Sequence, residues 1–159
     1  MPSLTDLADF LDRLLDIAGV PDYPNALNGV QLANLGDIAH VATAVDFSAQ
    51  TVSAAIDADA RLLVVHHGMF WGGLQPVTGR RHQQLWSLIT HDVAVYAAHL
   101  PLDMHREVGN NALLAKYLGL IPVDGFARYQ TVDVGLSGDA DVPTATLLER
   151  AGALAREHG

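Results

Sequence analysis

Apolar side chains at Leu4, Leu7, Phe10, Leu11, Leu14, Leu15 and Ala18 repeat at the three-and-four spacing of one helix face. The pattern predicts a first helix that Ser3 or Thr5 caps and Gly19 stops. The stretch PDYPNALNGVQ follows, where prolines and asparagines predict irregular backbone. A strand is predicted in IAHVATAV, ending at Asp46, and Ser48 is placed to cap a helix running to about Ile56. Leu62 to Val65 reads as the next strand, Arg81 to Thr90 as a helix, and Val93 to Ala98 as a third strand. The stretch LPLDMHREVG reads as a loop leading into a helix, Asn110 to Leu118, that Gly119 closes. Past Pro122 the pattern weakens. YQTVDVGLSGD reads as one or two strands, and TATLLERAGALAREHG as an amphipathic helix with Leu147, Leu148, Ala151 and Leu154 on one side.

The middle of the chain therefore alternates strand, helix, strand, helix, strand, helix, which predicts parallel pairing with helices packed on the sheet. The expected class is α/β, a mostly parallel sheet flanked by helices, in a single domain spanning residues 1–159. Small and β-branched residues run almost without interruption through the three strands, as expected where both faces of a sheet are covered. Polar chemistry is then confined to the strand ends.

Composition narrows the partners. The chain has 159 residues, half of them hydrophobic, enough to bury a core. Its net charge of -9, from 18 acidic and 9 basic side chains, repels a phosphate backbone and leaves no basic stripe for nucleic acid. Small ligands or cations are the expected partners. There is no cysteine, so disulfides and thiolate metal sites are excluded, which fits a cytoplasmic location. No apolar run approaches the roughly 20 residues of a membrane span, and the acidic N-terminal segment does not read as a signal peptide.

The candidate chemistry begins in RLLVVHHGMFWGG, residues 61–73, where a buried strand runs into two adjacent histidines. Three successive strands end in Asp46, in His66 with His67, and in His99 with Asp103 close behind. In open parallel sheets the ligand crevice lies beyond the carboxyl ends of the strands. Imidazole and carboxylate together suit zinc, manganese, iron or nickel, with bonds of about 2.0 to 2.2 Å for zinc. Adjacent residues leave a strand in opposite directions, so one histidine could reach a cation while its neighbour packs elsewhere. Two metals, or a turn in the backbone, would let both be used. The plain alternative is a polar strand exit at His66 and His67, with His99 bonding a carbonyl. Asn28 could approach a ligand, but Asn-Gly is first a turn signal. Phe70 and Trp71 could roof a cavity, although buried filler is the commoner role. Glu107 favours the start of the following helix through its charge. His40, His82, His91 and His105 have no carboxylate at an informative spacing and read as surface or supporting residues.

Taken together, NGVQ from Asn28, VVHHGMFW from Val64 and VYAAHLPLDMHREVGNNALLAKYLGL from Val95 resemble the dinuclear-metal family of GTP cyclohydrolase I type 2 homologs, also called Nif-three-like proteins. The resemblance covers nearly the whole chain. It implies an α/β fold binding up to two divalent metal ions per subunit and a homo-oligomer, the family's ring-shaped hexamer. By the same resemblance His66, His67 and Asp103 are metal ligands, and His99 lines the cavity as a supporting residue or auxiliary ligand; because a histidine's ordinary pKa lies near neutrality, His99 is also the catalytic candidate for moving a proton. Family members more often have proline where this chain has Gly68. They are also usually longer, with a second half whose His-x-x-x-Glu pair completes the site. Glu157 and His158 do not reproduce that spacing, so the usual C-terminal half is expected to be lacking and three ligands to serve where the family has five. A fragment, a shortened product, or completion by water, substrate or another subunit would each account for this. The expected function is a metal-dependent, hydrolase-like activity on an unknown small-molecule substrate. No Gly-rich phosphate loop or basic clamp supports GTP. The alternatives are a non-catalytic metal-binding or partner-binding protein, or an inactive fragment.

Overall fold

In the protein's structure, a computed structural model, residues 1–158 are described. Gly159, expected to end the last helix, lies outside the described residues, as does the side chain of His158. The chain is α/β and divides into two compact units, Met1–His99 and the residues from Leu100 onward.

The first unit opens with α1 (Leu4–Leu15), whose start is fixed by a reciprocal cap. Ser3 Oγ accepts from the Asp6 backbone N–H, and the Asp6 carboxylate accepts from the Ser3 N–H. The Ser3 hydroxyl, donating to the same carboxylate at 2.7 Å, and after it the Ser3 N–H hold the Asp6 carboxyl below its ordinary pKa. The helix stops earlier than the apolar spacing suggests, because Asp16 turns left-handed with φ 52°.

Four strands form one sheet in the order β1-β4-β3-β2: β1 (Gly29–Leu32), β2 (Val41–Asp46), β3 (Leu62–His67) and β4 (Ala94–Ala97). Strands β2, β3 and β4 are parallel and alternate with α2 (Ala49–Asp57) and α3 (Gly79–Thr90), as the sequence alternation requires. Strand β1 corrects the reading of PDYPNALNGVQ as irregular. Its residues lie beyond both prolines and pair antiparallel with β4, a tertiary contact that local composition does not encode.

One face of the sheet holds the main core. Leu63 and Val65 of β3 and Val95 and Ala97 of β4 pack there with Val52 and Ala55 of α2, Leu88 of α3, and Ala60 and Val93. On the opposite face Tyr96 is fully buried, and its hydroxyl donates to Asp12 of α1 at 2.6 Å. Helices thus cover both faces at the centre. At the edge the expectation of double coverage fails: on β2, Ala42 and Ala44 are half-buried while Val41 and Val45 remain 50% and 64% exposed.

The second unit holds α4 (Leu100–Met104), α5 (Asn110–Leu118), a hairpin of β5 (Ile121–Tyr129) and β6 (Val132–Asp139), and α6 (Thr144–His158). Helix α4 occupies part of the predicted loop, Pro101 being tolerated in its first turn because no intrahelical donor is required there. Strand β5 begins well before the predicted segment. Pro122, Asp124 and Gly125 disguise it, and nearly all its residues are exposed, so no apolar alternation marks it. Among the described residues no helix is long and apolar enough to cross a membrane.

Candidate metal centre

Parallel pairing brings the carboxyl ends of β2, β3 and β4 side by side, with Asp46 directly opposite His67 in the register. His66 and His67 close β3, and His99 follows β4 by two residues. At that edge no further strand separates the two faces, so imidazoles leaving opposite sides can close over the end of the sheet. Their ring centroids lie 4.6 Å apart for His66 and His67, 4.7 Å for His66 and His99, and 5.6 Å for His67 and His99. One nitrogen from each ring lies within 4.8 Å of the others, a spread that small rotations about the side-chain bonds could gather around one ion. Of the two arrangements open to adjacent histidines, the structure has the one in which both join the cluster.

Each ring is oriented through Nδ1. His66 Nδ1 donates to the Ala98 carbonyl at 3.1 Å, His67 Nδ1 to Asp46 Oδ1 at 2.7 Å, and His99 Nδ1 to Asp22 Oδ1 at 2.8 Å. A neutral imidazole with its Nδ1 proton committed in this way keeps its lone pair on Nε2. Imidazole ligands whose second nitrogen bonds a carbonyl or carboxylate are the usual arrangement at divalent metals. The donor set therefore fits a zinc-like or other borderline divalent ion, and the carboxylates of Asp22 and Asp46 add negative charge in its favour.

The surroundings restrict water. His99 is 7% exposed, while His66 and His67 are half-buried. The Trp71 ring stacks on His67 at 4.8 Å and 22° and lies 4.3 Å from His99, and Tyr23 meets Trp71 edge-on at 6.3 Å. Trp71 is therefore wall rather than core filler, with 36% of its surface exposed. Phe70 turns to the Arg81 guanidinium, which lies 5.4 Å from its ring.

The remaining candidates divide clearly. Asn28 carries more than a turn: its Oδ1 accepts the His99 backbone N–H at 2.8 Å, and its Nδ2 donates to Asp22 Oδ2 at 2.8 Å. The pairing of Gly29 with Ala97 puts Asn28 alongside that segment, and the turn is real as well, since Gly29 has φ 103°. Asp103 belongs to the second unit, on α4, where its Oδ1 accepts from Asn110 Nδ2 at 2.8 Å. His40 does have a carboxylate near it, Asp59 at 3.8 Å, on an exposed corner. His105 Nδ1 accepts the backbone N–H groups of Glu107 and Val108, a turn-forming role.

Three contributors escaped the sequence reading. Asp22 sits in a proline-rich stretch 77 positions from the histidine it holds, so nothing local signals it. Gln31 Oε1 accepts the Met69 N–H at 2.6 Å while Nε2 donates to the Ala26 and Leu27 carbonyls, pinning the segment after the histidine pair. Gly68 makes room for that amide, since a Cβ there would come within 2.4 Å of it. Only the unusual glycine after the histidines hinted at this.

Comparison with known proteins identifies the chain's relatives. A curated GTP cyclohydrolase 1 type 2 homolog from Treponema pallidum is 51% identical over 114 residues, covering 71% of this chain and 40% of the relative. One from Archaeoglobus fulgidus is 39% identical over 143 residues, covering 90% of this chain and 58% of the relative. The chain thus spans about half the length of the curated relatives it matches. A crystal structure of a Thermus thermophilus protein superposes with a TM-score of 0.85 at 34% identity, covering 96% of this chain and 61% of that one. HcgD from Methanocaldococcus jannaschii, at 23% identity and a TM-score of 0.64, shares the fold, covering 76% of this chain and 49% of that one. The family profile of Duf34/NIF3, NGG1p interacting factor 3, matches residues 2–157, and the chain belongs to that family.

Proposed function

We propose that this protein binds a divalent metal ion through His66, His67 and Asp103 and uses it in a hydrolase-like reaction on a small molecule, with His99 moving the proton. The observation that carries this reading is the convergence of three imidazoles, each held at Nδ1 by a carbonyl or carboxylate. Asp103 enters on its position four residues after His99 and on the family resemblance. When bound, such an ion polarises a substrate oxygen and makes water a stronger nucleophile near neutral pH.

The chain's own residues supply the rest. Asp46 and the Ala98 carbonyl fix the His67 and His66 rings, so that ligation requires little further ordering. Trp71 stacks on the His67 ring and Tyr23 meets Trp71 edge-on, so the two aromatics cover part of the cluster. His99, held by Asp22, can take a proton at Nε2 and return it to a leaving group. Up to two ions per subunit, zinc, iron, manganese or nickel, and assembly into a homo-oligomer belong to the same reading, as does a cytoplasmic location.

The test is metal content by plasma mass spectrometry on gently purified protein, with His66→Ala and Asp103→Ala alongside. Each variant should lose most bound metal and keep the circular dichroism of the parent. Unchanged metal in both would refute the ligand set. Metal retention with no turnover on phosphoesters, nucleotides and amides would refute the hydrolytic part alone.

A further inference from the structure

The bonds between Asn28, Asp22 and His99 form a circuit whose donors and acceptors can be oriented in one way. The backbone N–H of His99 can only donate, so the amide of Asn28 must turn Oδ1 toward it, at 2.8 Å. That leaves Asn28 Nδ2 directed at Asp22 Oδ2, also at 2.8 Å. The Tyr23 backbone N–H donates to Asp22 Oδ1 at 2.7 Å and fixes the carboxylate from its other end. Opposite that carboxylate sits His99 Nδ1, at 2.8 Å. The His99 and Asp22 side chains are 9% and 7% exposed, so water offers little substitute for these partners.

We propose that Asp22 is a positioning residue, oriented by Asn28, that holds His99 in its Nδ1–H tautomer and so makes Nε2 the atom His99 contributes to the cluster with His66 and His67. The use of that nitrogen, for an ion or for a proton, rests on the function proposed above; the tautomer itself does not. Without an acceptor at Nδ1, a histidine side chain favours the Nε2–H form. That form would turn an N–H toward a cluster needing a lone pair. A carboxamide at position 22 would still serve. Two N–H groups, from Tyr23 and His99, aim at the Oδ1 position, where an amide nitrogen could accept neither. The amide oxygen therefore takes the first position, and the Asn28 bond is lost instead.

The experiment is long-range 1H–15N correlation spectroscopy of histidine-labelled full chain, stripped of metal, with the His99 signals assigned by their loss in His99→Gln. The unsubstituted chain should show His99 as Nδ1–H, and Asp22→Asn should keep it. Asp22→Ala should shift it to Nε2–H and weaken zinc binding by about 10- to 100-fold in titration calorimetry. An Nε2–H signal for His99 in the unsubstituted chain overturns the proposal, whether or not Asp22→Ala folds. So does an Nδ1–H signal that survives Asp22→Ala. Absence of zinc binding together with a tautomer that follows position 22 would sink the metal reading and leave this proposal standing.

Discussion

Replacing Tyr96 by Phe removes one oxygen from the centre of the sheet and nothing else. Tyr96 is fully buried, and its hydroxyl donates to Asp12 at 2.6 Å, tying β4 to α1 just before the chain reaches His99. A hydrogen bond to a charged partner contributes about 1.5 to 3 kcal/mol. Asp12 is exposed and regains water when the hydroxyl goes, so a loss of about 1 to 2 kcal/mol is expected. For a chain of this size that lowers Tm by about 2 to 8 °C. Burial first, then the hydrogen bond and the charge of Asp12, raise the Tyr96 pKa above its ordinary value. The folded state therefore holds the phenolic proton more tightly than the unfolded chain does. Its stabilisation is complete below the unfolded value of about 10 and declines by about 1.4 kcal/mol per pH unit above it. Urea denaturation of both proteins at about pH 8 and about pH 11 should show a gap in stability that shrinks toward zero at the higher pH. A gap that stays constant, or is absent at the lower pH, would refute the reasoning.

Other perturbations separate the site from its support. Gly68→Ala should displace the Gln31 amide from Met69 and destabilise by about 1 to 3 kcal/mol in the same assay, and a change below about 0.5 kcal/mol would contradict the packing at that point. Leu63→Ala, at a side chain 1% exposed in the main core, should cost about 2 to 5 kcal/mol, whereas half-buried Val64 is the milder probe on the same strand. Asp46→Ala should leave folding nearly intact, because its side chain is largely exposed, yet weaken zinc binding about 10-fold or more by freeing His67 Nδ1. Calorimetry giving equal affinities would show that Asp46 does not orient the ring.

How much of this was legible in the sequence follows from which contacts are local. The strands ending at Asp46, His67 and Ala97 announced themselves through continuous apolar runs, and the parallel alternation placed their ends together. His66, His67 and His99 could therefore be grouped from position alone. Strand β1 could not, because Val30 and Leu32 become a strand only by pairing with β4. Asp22 was hidden for the same reason, being joined to His99 through the antiparallel register that delivers Asn28. Trp71 looked like core because aromatics usually are, and its stacking on His67 depends on a loop that has no periodicity. Strand β5 lacked a signal since exposure on both faces leaves no alternation to read.

The central claim is that the two imidazoles that close β3 serve as metal ligands. Crystals of the full chain soaked in zinc and measured at the zinc absorption edge test it most directly. The account predicts an anomalous peak about 2.0 to 2.1 Å from Nε2 of His66 and His67. A difference map with no peak at these histidines, in crystals where zinc is found elsewhere, would contradict it.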